Sequence, residues 1–118
     1  QGTQKIQATR LAKAQLDESI RQFNQTVLTS VQEVDNAMSS YKNSIKQIVA
    51  LREVVNQGKL TLDLSLDLYK QGLTPFQNVL DAQRSLLTYQ NQLTQAQGSS
   101  LLNLIQLYQS LGGGWNPM

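Results

Sequence analysis

The residues whose types could do acid–base chemistry in this chain are its dispersed aspartates and glutamates, because its 118 residues include neither cysteine nor histidine. Thiol nucleophiles, disulfides, imidazole bases and the common zinc sites are excluded in one step. The eight acidic and ten basic residues are dispersed along the chain. No pair of carboxylates stands beside a candidate base or a pocket-forming loop, so the pattern argues against an enzyme and implies no metal or cofactor. Asp81, with Arg84 three residues on, reads at its simplest as an exposed carboxylate in a weak surface pair. The net charge of +2 carries no basic stripe interleaved with aromatics, so nucleic acid is not an expected partner.

The elements that position these groups are set by one sharp break, Tyr69-Lys70-Gln71-Gly72-Leu73-Thr74-Pro75-Phe76-Gln77. Gly72 is suited to the left-handed conformation that ends a helix, with Leu73 folding back onto Leu68. Thr74 then reads as an N-cap, Pro75 as the first helical residue and Gln77 as the capping-box partner. A stop and a start so close together force two helices to lie antiparallel with the turn exposed at one tip.

On either side of the break the chain is patterned in heptads. Ile20, Val27, Val34, Tyr41, Ile48, Val55, Leu62 and Tyr69 recur every seven residues, flanked by Leu16, Phe23, Val31, Met38, Ile45 and Leu51. The stripe is broader than a two-stranded seam and predicts neighbours on two sides. Val79, Ala82, Leu86, Tyr89, Leu93 and Ala96 continue the rule beyond the turn. Gly98-Ser99-Ser100 interrupts it, and Leu101, Leu104, Ile105, Tyr108 and Leu111 resume out of phase, which predicts a stutter or kink. Leu60, Leu62, Leu64, Leu66 and Leu68 alternate with polar residues as a strand would. Leucine's helix propensity and the helical flanks favour helix there, and the like-charged pair Asp63 and Asp67 costs only about a few tenths of a kcal/mol.

The expected architecture is therefore all-α: a long antiparallel coiled-coil hairpin with helices over about 6–71 and 75–111, a tip at 72–75 and a tail at 112–118. The first helix would run on the order of 95 Å. The longest apolar runs are only a few residues, so no transmembrane helix is expected. The chain opens on Gln1 without a secretory leader, and Gln1 to Gln7 already look like the interior of a structure, so it reads as a segment of a longer protein. Two helices alone cannot enclose a core, and the missing surface must come from elsewhere.

The stretch from Tyr69 to Leu87, with the turn Gly72-Leu73-Thr74-Pro75 and the run Val79-Leu80-Asp81-Ala82, resembles the second-repeat signature of the outer-membrane efflux proteins, the TolC-type exit ducts. Thr26-Val27-Leu28 with Val31 to Ala37, and Leu107 to Trp115, are similar to that family's long descending helix and terminal motif. The resemblance implies a homotrimeric outer-membrane duct in which this segment is a periplasmic α-barrel hairpin. It implies a periplasmic adaptor (membrane fusion) protein as direct partner and an inner-membrane pump as an indirect one. It places Gly72, Leu73, Thr74 and Pro75 at the adaptor-docking tip, and Tyr69 and Asp81 at the pore gate. Where some members carry a basic residue that completes the gate, this chain has Thr74, leaving Lys70 or a residue outside the segment to serve. The rival reading is a soluble coiled-coil scaffold or sensor module that dimerises as a four-helix bundle.

Overall fold

The computed structural model describes residues 2–112 and consists of two helices, α1 (Gly2–Lys70) and α2 (Phe76–Gly112). They form one antiparallel hairpin with extents of 105 × 29 × 16 Å. Its radius of gyration is 28.7 Å, against about 13 Å for a compact domain of this length. The molecule is a rod. The 69 residues of α1 account for its length at about 1.5 Å per residue. No strand occurs among the described residues, and Leu60 to Leu68 lie within α1. Leu60 and Leu64 point to solvent while Leu62, Leu66 and Leu68 are half-buried, so the period-two pattern distributes leucines over two sides of one helix. No helix is long and apolar enough to cross a membrane among these residues.

The helix ends fall close to the expected ones, with α1 extending back to Gly2 and α2 beginning at Phe76, one residue after Pro75. The tail of 112–118 lies outside the described residues except for Gly112, the last residue of α2.

The seam between the helices runs through α1 at Val34, Ala37, Tyr41, Ser44, Ile48 and Leu51, and onward through Val55, Gly58, Leu62 and Ser65. All of these are buried or half-buried, in alternating steps of three and four. On α2 the same steps run from Val79 through Ala82, Leu86, Tyr89, Leu93 and Ala96. They continue in step through Ser100, Asn103, Leu107 and Ser110.

This corrects the expected stutter. Helix α2 is unbroken across Gly98-Ser99-Ser100, and the seam passes through Ser100 without a change of register. The sequence reading followed the large apolar residues, whereas the structure buries the small ones. Of the residues expected to resume the pattern, Leu104 is half-buried beside Asn103, whereas Leu101, Ile105, Tyr108 and Leu111 are a second, exposed stripe rather than a displaced continuation of the first.

Small seam residues set the spacing of the rods. A Cβ added at Gly58 would lie 3.3 Å from Leu86 Cδ1 and 3.3 Å from Tyr89 Cδ2, so the missing side chain is what lets α2 approach. Farther from the tip, Ser44 and Ser100 meet hydroxyl to hydroxyl at 3.1 Å, and Ser44 donates to the Tyr41 carbonyl at 2.6 Å. Each buried hydroxyl is thereby satisfied.

Only part of α1 has a partner in the hairpin. Every residue from 2 to 33 is exposed, and the heptad residues Ile20 and Val27 are 50% and 45% accessible. The regular apolar pattern thus extends well beyond the reach of α2 among the described residues.

Candidate functional site at the hairpin tip

The tip is built by a helix stop made almost wholly of backbone. Gly72 adopts φ of +73°, the one positive φ among the described residues. Its N–H donates to the Tyr69 carbonyl at 2.9 Å, and the Leu73 N–H donates to the Leu68 carbonyl at 2.9 Å. These two bonds are the Schellman pair, which satisfies the last carbonyls of α1 and reverses the chain within a few residues. The expected link between Leu73 and Leu68 is present as this backbone bond, while the Leu73 side chain remains 69% exposed.

The start of α2 uses different side chains from those expected. Asn78 donates its amide to the Thr74 hydroxyl, and the Asn78 N–H donates to the Pro75 carbonyl at 3.1 Å. Gln77 does not return to the cap: its amide donates to Asp81 Oδ1 at 3.0 Å. One residue therefore separates the expected capping partner from the observed one. Asn78, four residues after Thr74, reaches back along the same helical face, whereas Gln77 pairs forward along its own.

Tyr69 and Asp81 are not brought together within one hairpin. The Tyr69 ring packs against Phe76 across the turn, with centroids 5.1 Å apart and planes inclined by 54°. Asp81 lies farther along α2, held by Gln77 and exposed, with no ion pair to Arg84. Phe76 was not singled out by the sequence reading; its position seven residues after Tyr69, immediately beyond the helix-starting proline, was the available signal. Gly72, Leu73 and Pro75 are exposed, Thr74 is half-buried, and Tyr69 and Phe76 are partly accessible, so the tip presents a short apolar cap on a rigid turn.

A family model described as outer membrane efflux protein matches residues 3–113, which takes in both helices and the whole tip. The chain belongs to the outer membrane efflux protein family. Among its relatives is the solvent efflux pump outer membrane protein SrpC of Pseudomonas putida, 32% identical over 105 residues, spanning 89% of this chain and 22% of that protein. The cation efflux system protein CusC of Escherichia coli is 30% identical over 105 residues, 89% of this chain and 23% of that protein. Outer membrane protein OprJ of Pseudomonas aeruginosa is 31% identical over 108 residues, 90% of this chain and 22% of that protein. The chain thus spans about a fifth of the length of the curated relatives it matches. No solved structure matches the chain.

Membership in the outer membrane efflux protein family is in accord with the isolated hairpin's form. Its seam is narrow and rich in small residues, and many of its large apolar side chains face outward.

Proposed function

We propose that this hairpin is one stave of the wall of an outer-membrane efflux duct, with its tip in the periplasm, and that the parent protein is a homotrimer. The observation that carries the reading is a rod 105 Å long whose large apolar residues, among them Phe23, Val31, Leu87, Leu101 and Tyr108, are left exposed by the pairing of α1 with α2. Burying such side chains is worth about 1.5–3 kcal/mol each. A self-contained scaffold would place them in its own seam; a stave leaves them for adjoining protein.

In this reading the tip residues Gly72, Leu73, Thr74 and Pro75 meet a periplasmic adaptor protein, which links the duct to an inner-membrane pump. The exposed Leu73 supplies a modest apolar contact, and Gly72 allows backbone to approach closely. Tyr69 and Asp81 act at the gate, each against a neighbouring copy or another part of the parent protein, since within one hairpin they pair with Phe76 and Gln77 instead. Solutes exported by the relatives differ by name, from solvents to cations, and the hairpin contributes passage and docking rather than catalysis.

The direct test is site-specific crosslinking in cells carrying the full-length protein and its adaptor. A cysteine at Leu73 (Leu73→Cys) should crosslink to a cysteine at the adaptor's tip, whereas Lys46→Cys, far along α1, should not. Equal crosslinking at both positions, or none at the tip, would remove the docking assignment.

A further inference from the structure

At the end away from the tip, α1 runs on where α2 stops. Ser44 with Ser100, and Gly58 with Leu86, each lie equally far on either side of Gly72, which fixes the register of the seam. Gly112, 40 residues after Gly72, therefore stands level with Gln32, 40 residues before it. An open groove of about 500 Å³ lies at this level, with Ser30, Val31, Glu33 and Val34 of α1 and Gln109 and Leu111 of α2 in its lining. Val27 continues its apolar side one turn farther along α1, 45% exposed, and Val31 and Leu111 are 60% and 61% exposed. The seam that leads up to the groove is thin. On α2 it carries Ser100, Asn103 and Ser110 around Leu107, against Val79, Leu86 and Tyr89 nearer the tip.

From Gly112 the sequence goes on through Gly113 and Gly114 to Trp115, its one tryptophan. Three residues of extended chain advance about 10 Å, the rise of about seven helical residues. Such a reach takes Trp115 from the level of Gln32 along α1 as far as that of Gln25, and Val27 and Val31 fall inside the interval. We propose that Trp115 docks in this groove, its indole packed on Val27 and Val31, and so closes the open end of the hairpin. Gly113 and Gly114 bring no side chain between the ring and the helix. A docked aromatic buries about 150–250 Å², and it does so where the seam itself buries least. Glu33 and Gln109, on the rim, carry oxygens that can accept the indole N–H. The proposal goes beyond the duct reading and does not depend on it. Within that reading it gives Val27 and Val31 to the chain's own tail and leaves Leu16, Ile20 and Phe23 to adjoining protein.

The test uses the full-length protein, in which cysteines are introduced into a background without other reactive thiols; this segment has none to remove. Val27→Cys should react slowly with a small maleimide, and the rate should rise about tenfold when Trp115→Ala is added, which corresponds to the loss of one well-buried contact. Trp115→Phe should restore most of the protection. Gln25→Cys, on the far side of α1, should react equally in all three backgrounds. A Val27→Cys thiol that reacts freely while Trp115 is present overturns the proposal. So does one that stays protected after Trp115→Ala, since another part of the parent protein or another copy then covers the groove. If Trp115→Ala opens both thiols, the variant has unfolded, and the decision passes to a pair that keeps the tryptophan. Val31→Cys with Asn116→Cys should form a disulfide within one chain on mild oxidation; no disulfide, or one between two chains, overturns the proposal. None of these readouts requires a conducting channel, so a failure here leaves the duct reading standing.

Discussion

Ser44 and Ser100, 56 residues apart in sequence, hydrogen-bond to one another at 3.1 Å across the buried seam. Neither position offers a large apolar group, yet both are among the most buried in the molecule. Replacing Ser44 alone by alanine leaves the Ser100 hydroxyl without its partner on the opposite helix and should cost about 1 kcal/mol. The double alanine variant should cost no more than either single one, because both polar groups then leave together. Chemical denaturation of the full-length protein, followed by circular dichroism, checks this non-additivity. Strictly additive losses would show that the two hydroxyls act independently.

Gly58 predicts a steeper response. Leucine there would drive a side chain into Leu86 and Tyr89, whose nearest atoms already stand 3.3 Å from the position of a single added carbon. Gly58→Leu should destabilise by about 1–3 kcal/mol through overpacking. A thermal melt unaltered by this change would mean that the helices separate at no cost.

Gly72→Ala isolates backbone conformation from packing, because nothing lies within 4 Å of an added Cβ at that position. The φ of +73° penalises alanine by about 1 kcal/mol. Asparagine should be tolerated better than alanine, and equal midpoints for the two variants would locate the effect elsewhere.

Tyr69→Phe retains the ring that packs on Phe76 and removes only the hydroxyl. Stability should be unchanged. If the hydroxyl closes the gate, the resting conductance of the full-length protein in a bilayer rises; an unaltered trace assigns Tyr69 to packing alone.

Asp81→Asn removes a carboxylate that is exposed and held by Gln77. Repeated around a symmetric pore, that charge would favour cations, so the variant should lose cation preference or conduct more freely. Reversal potentials in a salt gradient measure it, and an identical potential would exclude Asp81 from the conducting path.

The hairpin was legible in the sequence because its signals were local. Gly72, Thr74 and Pro75 mark the stop and start without reference to any other part of the molecule, and the heptads fix two helices on either side. The route of the seam beyond Ala96 was not legible, because hydrophobic pattern reading follows large side chains. Ser100, Asn103 and Ser110 occupy seam positions for their size and hydrogen bonding, and the leucines beside them belong to another surface. The partner of Thr74 was misread for a similar reason: Gln77 and Asn78 both carry amides, and only rotamer geometry chooses between them. The local partners of Tyr69 and Asp81, Phe76 and Gln77, were not selected by the pattern either, because they depend on how side chains turn at the tip.

Ser44 facing Ser100 and Gly58 facing Leu86 are pairs equidistant in sequence from Gly72, so the hairpin closes like a zipper with one fixed starting point. Each successive contact away from the turn closes a slightly longer loop once its predecessor is in place, at little added entropic cost. Nucleation at Gly72 would make the turn the rate-determining region of folding, whereas the serine pair, added late, would govern how quickly the rods come apart.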